Sequence, residues 1–154
     1  MDDEAGLRHA LRAHWESQGL VASCIDLAQV AQLRARHQGL AEPYLALLLE
    51  VGVPAGDDRQ GFRFWQPPEL LETSIVLATA GYKCHSKHRS LIVADYLQES
   101  WWYAIWLEGP WLGMVSRALG TSTGDDPVPP LGTFTDFVRA YLADDARLYG
   151  GAGH

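Results

Sequence analysis

The segment Cys84-His85-Ser86-Lys87-His88 brings side chains that bind metals into one short stretch of the chain. Thiolate and imidazole groups are ligands that zinc prefers, and a fourth ligand from elsewhere would complete a tetrahedral site. The spacing matches no common zinc motif, however, and two nearby lysines would repel a cation. We therefore interpret the segment as a solvated loop without a metal. The alternative is a small zinc-dependent enzyme built on Cys84, His85 and His88.

Residue types for hydrolysis are also present, but without a motif that would assemble them. His85 and Asp95 with either Ser100 or Ser116 have the chemistry of a catalytic triad, yet the chain contains no Gly-x-Ser-x-Gly turn. Asp95 with Glu99 or Glu108 would form a carboxylate pair of the glycosidase type, which chance often produces. We expect Asp95 instead to end a strand and to accept hydrogen bonds from backbone amides, because a buried carboxylate needs partners. The sequence therefore predicts a protein that is not an enzyme and needs no cofactor.

The stretch from Leu91 to Leu107 is the clearest structural signal in the chain. Two runs of apolar, β-branched and aromatic residues flank the polar break Gln98-Glu99-Ser100, which predicts a β-hairpin. Both faces of each strand are apolar, so the hairpin is expected at the centre of a covered sheet. Four of the six tryptophans fall between Trp101 and Trp111. Such aromatic residues are more often core, although tryptophan is enriched at interfaces and some are expected as surface anchors.

The remaining pattern places helices first, strands in the middle and a helix at the end. Periodic apolar residues and capping residues predict the helices, and short β-branched or aromatic runs predict the strands. Helices are expected over about 4–17, from the capping box Ser23-x-x-Asp26 to Gly39, from Pro43 to Gly52, over about 70–81, and from Thr133 with Asp136 onward; further strands are expected over 61–65 and 112–116, and a loop over 120–131. The Ile75-Val76-Leu77 core of the 70–81 segment fits a strand equally well. The order predicts an α+β fold, a central, mostly antiparallel sheet with N-terminal and C-terminal helices packed against it. We expect one domain over residues 1–154, with a frayed tail at 150–154.

Composition and charge limit the classes of partner and compartment. The chain is 47% hydrophobic and 20% charged, which is typical of a globular protein, and its first residues are acidic where a signal peptide would be basic. It has two cysteines and no apolar stretch long enough to span a membrane, so a cytoplasmic protein is expected. The net charge of −7 argues against nucleic acid as a partner and favours a basic protein.

Over about residues 20–145 the chain resembles the SUKH superfamily, which includes a fungal cell-wall-assembly regulator domain and many bacterial immunity proteins. The resemblance is carried by Gly39-Leu40-Ala41-Glu42-Pro43-Tyr44 with Leu48-Leu49 and Gly52, by Phe62-Arg63-Phe64 with Pro68-Glu69-Leu70, by Ala94-Asp95-Tyr96 with Ser100-Trp101-Trp102-Tyr103-Ala104-Ile105, and by Phe134-Thr135-Asp136-Phe137-Val138 with Tyr141-Leu142. The chain departs from the family pattern where Pro43 and Tyr44 are adjacent and where Val51-Gly52 replaces Asn-Gly.

The resemblance implies a sheet covered by helices, no catalysis, and binding to another protein. In bacteria the implied function is that of an immunity protein, which neutralises the toxin encoded by a neighbouring gene through direct stoichiometric binding. The fungal relatives imply an alternative, an intracellular regulatory or scaffolding module.

Acidic residues in loops indicate where a basic, nuclease-like toxin would bind. Complementary charge speeds association, and an aromatic anchor slows dissociation. We therefore predict that the contact face consists of Asp57, Asp58, Glu99 and the exposed members of the pair Trp101 and Trp102.

Overall fold

The computed structural model describes residues 4–84, 86–118 and 129–149. The predicted tail at 150–154 and most of the predicted loop at 120–131 lie outside these residues. The helices are α1 (Glu4–Ser17), α2 (Leu27–Arg36), α3 (Glu42–Glu50), α4 (Thr73–Thr79) and α5 (Phe134–Leu142), with short 3-10 turns at Pro67–Glu69 and Ala146–Tyr149. The strands are β1 (Ala22–Ser23), β2 (Val53–Pro54), β3 (Phe62–Phe64), β4 (Leu71–Glu72), β5 (Ser90–Tyr96), β6 (Trp101–Trp106), β7 (Met114–Ala118) and β8 (Gly132–Thr133).

An antiparallel sheet with the order β3-β5-β6-β7-β8 forms the centre of the fold, and β4 also pairs with β5. Helices from both ends of the chain pack on one face of this sheet. Phe62 and Phe64 of β3 contact Tyr141 of α5, and Phe64 also contacts Trp15 of α1. Because aromatic rings bury large apolar areas, this cluster joins the two ends of the chain across the sheet. The predicted α+β architecture is confirmed.

The predicted hairpin forms the pair β5 and β6 and lies at the centre of the sheet. Residues Ser90–Asp95 and Trp102–Trp106 are all buried, as the apolar character of both faces predicts. One feature departs from simple alternation, because the register shifts between Ile92 and Ala94. The resulting bulge leaves Val93 without a directly opposite residue in β6. Strict alternation along the sequence would place Ile92 and Ala94 on the same face of the sheet. Because of the bulge they oppose Ala104 and Tyr103, which are neighbours on β6, so they lie on opposite faces.

The helix boundaries confirm some capping predictions and correct others. Thr133 and Asp136 form the capping box of α5, as predicted. The capping box of α2 is Asp26 with Gln29, so the predicted box from Ser23 to Asp26 is wrong. Backbone pairing with Val53 holds Ser23 in a strand.

The start of α4 also differs from the expectation. The helix begins at Thr73, because Leu71 and Glu72 first pair with Ile92 and Leu91 of β5. This short strand brings α4 directly onto the central strand of the sheet. In the part of the chain that the structure describes, no helix is long and apolar enough to cross a membrane.

Candidate functional site

Asp95, at the end of β5, is a fully buried carboxylate and the centre of a polar network. Its Oδ2 accepts hydrogen bonds from Trp65 Nε1 at 2.6 Å and from Arg63 Nε at 3.1 Å. Its Oδ1 accepts a longer bond, 3.3 Å, from the backbone N–H of Glu99. Burial raises the pKa of Asp95, and the bond from Trp65 and the charge of Arg63 oppose that rise. The amide bond agrees with the expectation for a strand-end aspartate, and the side-chain donors are additional.

The hairpin loop after Asp95 is conformationally strained. Leu97, Gln98 and Glu99 have φ values of 48°, 54° and 65°, a left-handed conformation that costs a residue other than glycine about 1–3 kcal/mol. The Leu97 N–H donates to Gly61 O at 2.8 Å, and the Ser100 N–H donates to Tyr96 O at 2.9 Å. The bond from Leu97 holds the loop against the turn that precedes β3, and the bond from Ser100 closes the loop on the end of β5. Strain of this kind clusters at functional sites, so the loop is a candidate for binding.

The strained loop brings the carboxylate of Glu99 against the indole of Trp102. Trp102 Nε1 donates to Glu99 Oε1 at 2.9 Å, while Glu99 itself is exposed on the loop. Trp102 is only 3% exposed and lies on the face of the sheet away from α5, on the side of Asp95, with which it pairs across the strands. Glu99 and Trp102 are thus two predicted site residues that the structure brings together.

A groove between α4 and this face of the sheet continues from Glu99 and has a volume of about 380 Å³. We call it the α4 groove. Its lining residues are Trp65, Leu71, Val76, Thr79, Ala80, Tyr82, Glu99 and Trp102. Trp65 and Trp102 are buried and form its floor, whereas Leu71 and Tyr82 are exposed at its rim.

Exposed apolar side chains lie in and beside the α4 groove. Of the seven large hydrophobic side chains exposed in the described residues, Leu71 and Tyr82 line the groove. Ile75 is 50% exposed and lies one helical turn before the groove residue Thr79. Clusters of exposed apolar residues with polar neighbours are typical of interaction surfaces.

Asp58 does not belong to an exposed face, so its prediction as a contact residue is wrong. It is 7% exposed, and its Oδ2 accepts a hydrogen bond from the Tyr141 hydroxyl at 2.5 Å. Its Oδ1 accepts bonds from the backbone N–H groups of Phe62 and Gln60, each at 2.9 Å. The carboxylate therefore ties the turn before β3 to α5. Its neighbour Asp57 is exposed, as predicted.

Trp101 and Trp102 lie on opposite faces of β6, as neighbouring strand residues must. Trp101 packs on Tyr96 with ring centroids 4.9 Å apart, and its Nε1 donates to the Tyr103 hydroxyl at 2.8 Å. The ring of Tyr103 packs in turn on Phe137 of α5, so Trp101 belongs to the helix-covered face and cannot share a contact face with Trp102.

Apart from Glu99 and Trp102, the lining residues of the groove were not singled out as site residues from the sequence. The one signal was the Ile75-Val76-Leu77 run, whose apolar residues fit either a helix or a strand. In the structure Val76 and Leu77 are buried and Ile75 is not.

The side chains considered for zinc do not form a site within the described ranges. No three His, Cys, Asp or Glu side chains among those residues come together in a way that would hold a metal. Cys84 is half-buried, and His88 Nδ1 lies 3.8 Å from Glu108 Oε2. His85 lies outside the described residues.

Comparisons of the chain with protein-family models, with curated proteins and with solved structures found no match. The α4 groove is the candidate site on the basis of its own geometry. It combines a buried aromatic floor, an exposed apolar rim and the carboxylate of Glu99.

Proposed function

We propose that this protein is a non-enzymatic binding protein of the SUKH type, which neutralises a cognate bacterial toxin by direct stoichiometric contact through the α4 groove. The observation that carries the proposal is the α4 groove, whose rim residues Leu71 and Tyr82 are exposed beside the carboxylate of Glu99. The immunity role itself comes from the sequence resemblance, with which the α+β fold and its central hairpin are compatible.

The groove is already ordered in the free protein, which favours binding. In its floor, Trp102 belongs to the buried strand β6 and Trp65 follows β3, and the network around Asp95 holds both Trp65 and the strained loop. A surface that is already ordered loses little conformational entropy when a partner binds. Exposed apolar side chains such as Ile75 then add to the binding free energy, because the complex removes them from water. The binding energy of an interface typically concentrates in a few residues.

The charge of the chain favours a basic partner. The net charge of −7 attracts a positively charged surface over a distance, which raises the association rate at low salt. Toxins that act on nucleic acids need basic surfaces to hold phosphates, and these surfaces would be attracted in the same way.

The test uses the toxin domain that the proposal expects a gene beside that of this chain to encode. Co-expression should restore the growth of a bacterial host that the toxin alone arrests, and calorimetry with an inactivated toxin should give a 1:1 complex. Ile75→Glu should weaken the complex by about tenfold or more and reduce protection, because it places a charge within the apolar contact. The matched control is Leu27→Glu on α2, where the side chain is 72% exposed and remote in sequence from the groove.

The outcomes separate the function from its location. Absence of both protection and a complex would refute the immunity function. Protection with equal affinity for Ile75→Glu, Leu27→Glu and the unaltered protein would place the contact elsewhere on the molecule.

A further inference from the structure

The α4 groove combines aromatic rings with a carboxylate, which is the chemistry of a site for an organic cation. Among its lining residues in the described chain, Glu99 is the charged one, and Trp65, Tyr82 and Trp102 supply aromatic rings. Cations are attracted to the faces of such rings and to carboxylates at the same time. The groove is therefore electrostatically suited to a positive group with an apolar stem.

Hydrogen bonds to carboxylates prepare the two indoles for this role. Trp65 Nε1 donates to Asp95 at 2.6 Å, and Trp102 Nε1 donates to Glu99 at 2.9 Å. An N–H group that donates to an anion leaves more electron density on its ring, which strengthens the attraction of the ring for cations.

Arg63 shows that this part of the fold accommodates a guanidinium group. Its Cζ lies 5.4 Å from the centroid of the Trp65 ring, and it is paired with Asp95 at 2.9 Å and with Glu69 at 3.0 Å. Because these two carboxylates engage Arg63, its charge is largely compensated. The bond from Trp102 occupies Oε1 of Glu99, so Oε2 can accept a hydrogen bond from a ligand.

We infer that the α4 groove binds an arginine side chain of the partner protein, an assignment that rests on the proposed function. The alkyl stem would pack against Leu71 and Val76, and the guanidinium would lie beside Tyr82 and donate to Glu99. Arginine fits better than lysine, because its planar group stacks on aromatic rings, is weakly hydrated and forms directed bonds to a carboxylate. The contact would therefore combine apolar packing with a charge-assisted hydrogen bond.

The first test measures this chemistry without the toxin. The probe is the blocked tripeptide acetyl-Gly-Arg-Gly-amide, titrated into ¹⁵N-labelled protein while the indole N–H signals are followed by NMR. The Trp102 signal, assigned with a Trp102→Phe variant, should move saturably with the arginine peptide. It should stay in place with the citrulline peptide, which has nearly the same shape but no charge.

A matched pair of variants identifies the carboxylate that binds. Glu99→Gln keeps an acceptor for Trp102 but loses the charge, and it should weaken the arginine peptide by about fivefold or more. Glu16→Gln removes an equal charge from an exposed position on α1 and should leave the affinity unchanged. Equal affinities for the two variants, or equal binding of the citrulline peptide, would overturn the inference. A third probe, the blocked tripeptide acetyl-Gly-Lys-Gly-amide, tests the choice of arginine. If it binds at least as tightly as the arginine peptide, that choice is overturned.

The second test uses the inactivated toxin and keeps the two proposals distinguishable. Glu99→Gln should weaken the toxin complex by about tenfold and reduce its salt dependence, while Glu16→Gln has little effect. If Ile75→Glu weakens the complex and Glu99→Gln does not, the groove is the contact site but does not hold an arginine. If no complex forms while the arginine peptide still binds, the immunity function fails and the cation site stands.

Discussion

The buried carboxylate of Asp58 allows a sharp comparison with the exposed Asp57 beside it. Replacing Asp58 with Ala removes the acceptor of the Tyr141 hydroxyl and of two backbone N–H groups. The same change at Asp57 removes only an exposed charge. Neighbouring aspartates in one turn should therefore differ widely in their contribution to the free energy of unfolding.

The size of the effect follows from the bonds that are lost. Hydrogen bonds to a charged group contribute about 1.5–3 kcal/mol each, and bonds that share one acceptor are not additive. We expect Asp58→Ala to lower the free energy of unfolding by about 4 kcal/mol, and Asp57→Ala to change it by less than about 0.5 kcal/mol. Burial and the bond to Asp58 raise the pKa of Tyr141, so its hydroxyl keeps its proton and donates at every ordinary pH.

Urea denaturation followed by tryptophan fluorescence measures these values, since Trp15 Nε1 donates to the same Tyr141 hydroxyl at 3.0 Å. Adding Tyr141→Phe completes a double-mutant cycle, in which Asp58 and Tyr141 should be coupled by at least about 1 kcal/mol. Equal stabilities of the Asp57 and Asp58 variants, or a coupling near zero, would show that the network does not stabilise the fold.

Three further predictions concern stability elsewhere in the chain. Ile105→Ala should cost about 2–4 kcal/mol in urea denaturation, because the side chain is fully buried on β6, and a loss below about 1 kcal/mol would contradict its place in the core. Gln98→Gly should raise the melting temperature and Gln98→Val should lower it, because the left-handed φ of 54° suits glycine and opposes a β-branched residue. A higher melting temperature for the valine variant than for the glycine variant would mean that the loop is unstrained. Burial, followed by the charge of Arg36, lowers the pKa of His37 in the folded protein. The stability that neutral His37 contributes is therefore present above the pKa of the unfolded chain, about 6.5, and is lost as the pH falls through the lower pKa of the folded protein. His37→Leu should therefore lose less stability than the unaltered protein between about pH 7 and pH 5, and equal losses would contradict this assignment.

Much of the fold was predictable because its signals are local. The apolar character of both hairpin faces predicts a central position, and the Thr133–Asp136 pair predicts the start of α5. The bulge at Val93 was not predictable, since it depends on how β5 fits between its neighbours. The early strand at Leu71 and Glu72 likewise depends on pairing with a distant segment.

The candidate site was predictable only in part, because exposure is a property of the whole fold. Glu99 and Trp102 were identified from residue type, and the structure brings them into contact. Asp57 and Asp58 have the same residue type and adjacent positions, yet the Tyr141 hydroxyl and two amides hold Asp58 inside. Ile75 has a residue type that usually indicates core, and it is exposed on α4, one helical turn before the groove residue Thr79.

The location of Asp95 explains how the fold supports a strained loop beside a binding groove. One carboxylate accepts from Trp65 in the groove floor, from Arg63 on β3 and from the amide of Glu99 in the loop. Loss of any of these bonds would leave a buried charge with fewer partners, at a cost of about 1–3 kcal/mol or more. That penalty is comparable to the strain of a left-handed residue, so the network can hold the loop in place. The Glu99 carboxylate is thereby fixed before a partner arrives, and the groove can bind without first ordering its charged group.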